Sequence, residues 1–130
     1  MAQTPKVLLV DDEPTILLSL SHSLQGNGAL VTRCRERRAA EEALRRERFH
    51  LAIIDLCLSG GGHPDGLEVV RAARQADAST DVIVMTAFGT DDLRRQALEH
   101  GATGYLSKPV SLDLLLTVVD RLKGRLAKGG

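Results

Sequence analysis

Short apolar runs alternate with amphipathic stretches five times along this 130-residue chain. Residues 6–10 are apolar after their first position, residues 51–55 read Leu-Ala-Ile-Ile-Asp, and residues 81–86 read Asp-Val-Ile-Val-Met-Thr. Runs of this length without polar alternation predict strands covered on both faces. Residues 29–34 are a weaker strand candidate, and residues 102–106 read as a short strand. Between the strands the apolar positions follow a helical period. Residues 14–25 place Leu17, Leu20 and Leu24 on one face, with Gly26 or Gly28 to end the helix. Residues 38–48 form a charged helix whose thin apolar side is Ala39, Ala43 and Leu44. Residues 67–76 follow Asp65, which with Glu68 resembles a capping box. Residues 91–100 have Thr90 as a cap and Gly101 as a stop. Residues 112–122 complete the series as an amphipathic helix.

Strand followed by helix, five times over, predicts an α/β fold of the (βα)5 kind, a doubly wound, parallel, five-stranded sheet. Right-handed crossovers then put the C-terminal end of every strand on one edge, where such sheets bind ligands. The length fits a single domain over residues 1–130, with its core at about 5–125. Hydrophobic residues make up 43% and aromatics 2%, so the core must be built from Leu, Val, Ile and Ala.

Lys plus Arg and Asp plus Glu both number 17, for a formal net charge of zero. That balance argues against direct nucleic-acid binding by the whole chain, which needs a basic footprint. No apolar stretch reaches 18 residues, so no membrane span is expected, and residues 1–6 lack a signal-peptide pattern. Cys34 and Cys57 lie in or beside strand-like runs and read as reduced thiols of a cytoplasmic protein.

The predicted strand ends carry the chemistry. Asp11 and Asp12 follow the first strand, Asp55 ends the third, Thr86 ends the fourth, and Lys108 follows the fifth. Carboxylates are hard oxygen ligands that suit magnesium rather than zinc. Two unit charges about 4 Å apart at an effective dielectric of ~20 repel by roughly 4 kcal/mol. Converging carboxylates therefore need a cation or a raised pKa, and Lys108 offsets only part of the charge. Asp55 is a metal ligand that can also act as a nucleophile towards a phosphoryl group. Thr86 and Lys108 are candidates to hold phosphoryl oxygens. Pro109 restricts Lys108 to an extended backbone, and X-Pro bonds are where cis peptides occur. Taken singly, each of these residues also has a structural reading, as an acidic turn capping a helix, a strand-end polar residue or a surface lysine.

Four segments give the set a family resemblance: Val10-Asp11-Asp12-Glu13-Pro14, Asp55-Leu56 with the later Asp65-Gly66-Leu67-Glu68, Met85-Thr86-Ala87, and Gly104-Tyr105-Leu106-Ser107-Lys108-Pro109. In order and spacing they resemble a response regulator receiver domain of two-component signalling, over about residues 5–125. The resemblance implies a flavodoxin-like sheet in strand order 2-1-3-4-5 and a phospho-accepting role. Asp55 would be the phosphoacceptor. Asp12 and Asp55 would bind Mg2+ directly (Mn2+ substituting), Asp11 mostly through water, and the main-chain carbonyl of Cys57 would complete the protein ligands. Thr86 and Lys108 would hold the phosphoryl group, and Tyr105 would be the switch aromatic that turns inward as Thr86 moves. The implied partners are a sensor histidine kinase or a histidine phosphotransfer protein, with a possible homodimer through the face of the fourth helix, fifth strand and fifth helix. Such a domain promotes its own phosphorylation and dephosphorylation and is not an enzyme acting on an external substrate.

Three features depart from the family pattern. Ser59 stands where receivers usually carry proline, and the Gly-rich stretch from Ser59 to Pro64 predicts a longer, looser loop in which His63 is a solvent-exposed residue. Cys57 and Phe88 occupy the two positions that tune dephosphorylation, and neither is a good water-positioning group, which predicts a long-lived phosphoryl state. Residues 33–48 are rich in arginine (Arg33, Arg35, Arg37, Arg38, Arg45, Arg46, Arg48). They read as a solvated face with pairs such as Glu41–Arg45 and Glu42–Arg46, or as a docking surface for an acidic partner. Two other functions compete. An aspartate-nucleophile phosphatase would need a second acid two residues after Asp55, where Cys57 stands. A degenerate receiver acting as a phosphorylation-independent binding module would not need the intact acid set.

Overall fold

The computed structural model describes residues 3–58, 64–87 and 89–129. Its elements run β1 (Lys6–Val10), α1 (Pro14–Gly26), β2 (Leu30–Cys34), α2 (Arg37–Arg46), β3 (Leu51–Asp55), α3 (Gly66–Ala76), β4 (Asp81–Thr86), α4 (Asp91–His100), β5 (Gly104–Ser107) and α5 (Leu112–Gly129). The five strands form one sheet in the order β2-β1-β3-β4-β5, and every pairing is parallel. The fold class is therefore the expected flavodoxin-like one. Parallel pairing brings all the strand C-termini to one edge, and the site lies there.

The sheet separates two apolar cores. Successive side chains alternate between its faces. Leu8, Val10, Ala52, Ile54, Val82 and Val84 therefore pack with α2, α3 and α4, through residues such as Leu44, Val70 and Ala97. Val7, Leu9, Leu51, Ile53, Ile83 and Met85 pack with α1 and α5, through Leu17, Leu20, Leu24, Leu115, Val119 and Leu122. Covering on both faces explains why β1 and β3 are continuously apolar in sequence.

Local signals acted as their chemistry predicts in several places. The Thr90 hydroxyl accepts the Leu93 N–H at the start of α4, and Gly101 ends that helix with a left-handed φ of 114°. Both cysteines are free thiols. Elsewhere the structure departs from expectation. Helix α2 stops at Arg46 rather than 48, because Glu47 turns extended and Phe49 drops into the core. Strand β5 begins at Gly104 rather than 102, since the Ala102 N–H is taken by the Ala97 carbonyl at the end of α4. Asp65 has helical backbone angles and no side-chain capping bond, so the expected capping box does not form. Glu42 pairs with Arg46 as expected, but Glu41 reaches back to Arg37 instead of forward to Arg45. Residues 59–63, including Ser59 and His63, and Phe88 lie outside the described residues.

Candidate functional site

Each functional side chain comes from a strand end. Asp11 extends β1 by donating its N–H to the Cys34 carbonyl. Its Oδ1 then accepts the Glu13 N–H at 2.9 Å, an Asx-type turn that starts α1, where Pro14 occupies the first turn. The Asp11 carboxylate has no exposed surface, and Asp55 is 4% exposed. Asp55 Oδ1 accepts the Cys57 N–H at 3.1 Å. Asp11, Asp12 and Asp55 each offer a carboxylate oxygen within 4.8 Å of the others. Three hard oxygen donors this close, two of them buried, form a group that fits a divalent cation.

Lys108 brings a positive charge into direct contact with this cluster. Its Nζ lies 2.8 Å from Asp11 Oδ2, 3.1 Å from Asp55 Oδ2 and 4.0 Å from Glu13 Oε1. The chain around it is fixed by the Lys108 N–H, which donates to the Thr86 carbonyl at 2.8 Å, and by a cis Lys108–Pro109 bond. Thr86 is fully buried. It sits one residue beyond Met85, the register partner of Asp55.

The electrostatics follow from burial. Burial pushes the Asp55 carboxyl above its ordinary range; the Cys57 N–H and the Lys108 ammonium pull it down without cancelling that, and the Asp11 charge adds to the rise. Burial alone would lower Lys108, but its hydrogen bonds to Asp11 and Asp55 outweigh burial and hold the ammonium charged. Burial and then the Asp55 charge raise the Cys57 thiol, which is therefore neutral and a poor nucleophile.

The structure thus brings Asp11, Asp12, Asp55 and Lys108 together, with Thr86 bonded to Lys108 through its carbonyl. Tyr105 stands on β5 in register with Val84. Its hydroxyl is buried and, among the described residues, has no hydrogen-bond partner. Phe88, the second expected tuning position, lies outside the described residues. Two glycines absent from the sequence-level candidates bear on the site. A Cβ on Gly66 would collide with the Asp55 carbonyl and lie 2.6 Å from Leu56 Cα, so only glycine lets α3 begin against the phosphoacceptor candidate's own backbone. A Cβ on Gly89 would collide with the Tyr105 hydroxyl. Gly66 belongs to one of the segments that carry the resemblance, but its approach to Asp55, like that of Gly89 to Tyr105, depends on a partner outside its own run of residues.

Comparison with known proteins agrees with this geometry. A family model described as the response regulator receiver domain matches residues 7–120. The response regulator protein PilR of Pseudomonas aeruginosa is 41% identical over 115 residues, which are 88% of this chain and 25% of that protein. The transcriptional activator protein PfeR of the same species is 35% identical, over 95% of this chain and 39% of that protein. The sensor protein GacS of Pseudomonas syringae is 32% identical, over 95% of this chain and 14% of that protein. The chain therefore spans well under half the length of these relatives. Among solved structures, a CheY-like receiver domain protein from Methanospirillum hungatei superposes with a TM-score of 0.86 at 25% identity, covering 98% of this chain and 100% of that one. The signal receiver domain of a putative Luxo repressor protein from Vibrio parahaemolyticus does so with a TM-score of 0.81 at 28% identity, covering 98% of this chain and 95% of that one.

Proposed function

Since this chain belongs to the response regulator receiver domain family, we propose that it is the phospho-accepting module of a two-component phosphorelay, with Asp55 as the group modified. The observation that carries the reading is the convergence of Asp11, Asp12 and Asp55 on one point, with Lys108 bonded to two of them. The donor would be a phosphohistidine on a sensor histidine kinase or a histidine phosphotransfer protein. An Asp55 oxygen attacks phosphorus, the O–P bond forms and the P–N bond breaks. The electron pair stays on the departing imidazole.

Phosphoryl transfer requires positioning and charge neutralisation more than covalent help from the protein. Here the Cys57 N–H orients Asp55 through Oδ1, and Lys108 at Oδ2 can pass from the carboxylate to the incoming phosphoryl oxygens. Asp12 and Asp55, the Cys57 carbonyl and, through water, Asp11 would hold Mg2+ or Mn2+. When bound, that ion supplies the remaining positive charge on the phosphoryl group. Thr86 and Tyr105 would carry the switch to the surface of α4, β5 and α5, where a second copy could dock. In this reading residues 1–130 act as one domain in the cytoplasm, turning over no external substrate; among the described residues no helix is long and apolar enough to cross a membrane. Incubation with acetyl phosphate and Mg2+, followed by intact-mass measurement of wild type and Asp55→Asn, tests the reading.

A further inference from the structure

We propose that Gly89 is a positioning residue: by carrying no side chain it forms the seat that admits the Tyr105 ring beside Thr86, and so sets how strongly the chain favours the inward ring. The role of that ring in signalling rests on the phospho-acceptor reading above; the seat itself rests on geometry.

The seat is defined by overlap. A Cβ on Gly89 would collide with the Tyr105 hydroxyl and lie 3.1 Å from both Tyr105 Cζ and Thr86 Cγ2. One added carbon thus meets both members of the Thr86–Tyr105 pair. The hydroxyl in the seat is buried and has no hydrogen-bond partner among the described residues. Leaving a buried polar group unpaired is unfavourable, whereas burying the ring is favourable. The two terms oppose each other, and a methyl group in the seat adds steric overlap to the unfavourable side. Tyr105→Phe removes the orphan oxygen and the atom most in conflict with a Cβ. Gly89→Ala closes the seat. The two substitutions should therefore be coupled, with the first rescuing the second.

The chain offers a direct reporter, because it contains one tyrosine and no tryptophan. Acrylamide quenching of the intrinsic emission of the full chain, with no phosphodonor, reads Tyr105 alone. Gly89→Ala is expected to raise the quenching constant towards that of the same protein unfolded in urea. An unchanged constant in a folded variant overturns the proposal. In parallel, urea unfolding of wild type, Gly89→Ala, Tyr105→Phe and the double variant forms a double-mutant cycle. The folding equilibrium constant should fall more on adding Gly89→Ala to the tyrosine background than to the phenylalanine background. Backbone strain at residue 89 would lower both alike, so equal losses, or a double variant as unfolded as Gly89→Ala alone, also overturn it. Neither measurement uses a phosphodonor. A chain that fails to accept phosphate at Asp55 would thus refute the phosphorelay reading while leaving the seat standing, and an unchanged quenching constant would do the reverse.

Discussion

Lys108 Nζ lies 2.8 Å from Oδ2 of Asp11, a fully buried carboxylate 97 residues away in the chain. This ion pair ties the loop after β5 to the end of β1. Because Lys108 also bonds Asp55, one ammonium partly neutralises two carboxylates. Removing one partner of a buried pair leaves an uncompensated charge, at a cost of about 2–3 kcal/mol where, as here, the lysine retains some solvent. Lys108→Met should lose stability on that scale in urea unfolding with a chelator present. Added Mg2+ should restore part of the loss, since a cation at the carboxylates replaces the missing charge. A variant as stable as wild type without metal would contradict this.

Asp55 makes a metal-free prediction with a definite sign. Burial raises its folded pKa, so the fold favours the protonated form. The stability this contributes is complete below the unfolded value near 3.9 and is lost as pH rises through the folded value. Asp55→Asn, which keeps the shape and removes the charge, should therefore gain on the order of 1 kcal/mol over wild type at neutral pH without divalent cations. The gap should shrink as pH falls through the acid range, and Mg2+ should narrow it by stabilising wild type alone. Equal stabilities at all pH values would count against a buried, electrostatically stressed carboxylate.

A second pH dependence arises at the opposite end of the sheet. The His50 Nδ1 accepts the Lys6 N–H at 3.0 Å and its Nε2 lies 3.2 Å from Gln3 Oε1. Burial, then the Lys6 charge, lowers the pKa of His50, with Asp77 opposing. An imidazolium has no lone pair for the Lys6 N–H. The unfolded chain takes up the proton first, so stability is complete above about 6.5 and falls as pH drops through that value towards the lower folded one. Unfolding midpoints in urea should decline over this interval in wild type and decline less in His50→Gln. Parallel declines would remove His50 from the account.

Much of the fold and site was legible because the relevant signals are local. β1 and β3 are buried on both faces and read as unbroken apolar runs, and Thr90 and Gly101 bracket α4 through their own capping chemistry. The strand-end aspartates could be placed on one edge by topology alone. What the sequence did not show depends on partners far along the chain. The end of α2 is set by Phe49 entering the core, and α5 continues past its expected end to Gly129 because Leu126 still packs on the α1 side of the sheet. That Lys108 would bond Asp11 as well as Asp55, or that Gly66 and Gly89 leave room for an Asp55 carbonyl and a tyrosine hydroxyl, requires the three-dimensional approach of segments no local pattern joins.

Cys57 bears on how long a phosphoryl group would last. Its thiol is held neutral by burial and by the Asp55 charge, and a thiol is a weak hydrogen-bonding group. It cannot orient an attacking water well. The phosphorylated chain should decay slowly without a phosphatase, and Cys57→Asn, which adds an amide that can hold water, should shorten the half-life several-fold. Decay of wild type within seconds would oppose the prediction.

The most direct test of the phosphorelay reading is the mass of the intact chain after incubation with acetyl phosphate. Wild type with Mg2+ should gain one phosphoryl group, wild type with a chelator should gain little, and Asp55→Asn should gain none under either condition. Wild type that stays unmodified with Mg2+, or an Asp55→Asn chain that is modified to the same extent, would contradict the assignment of Asp55 as the phosphoacceptor.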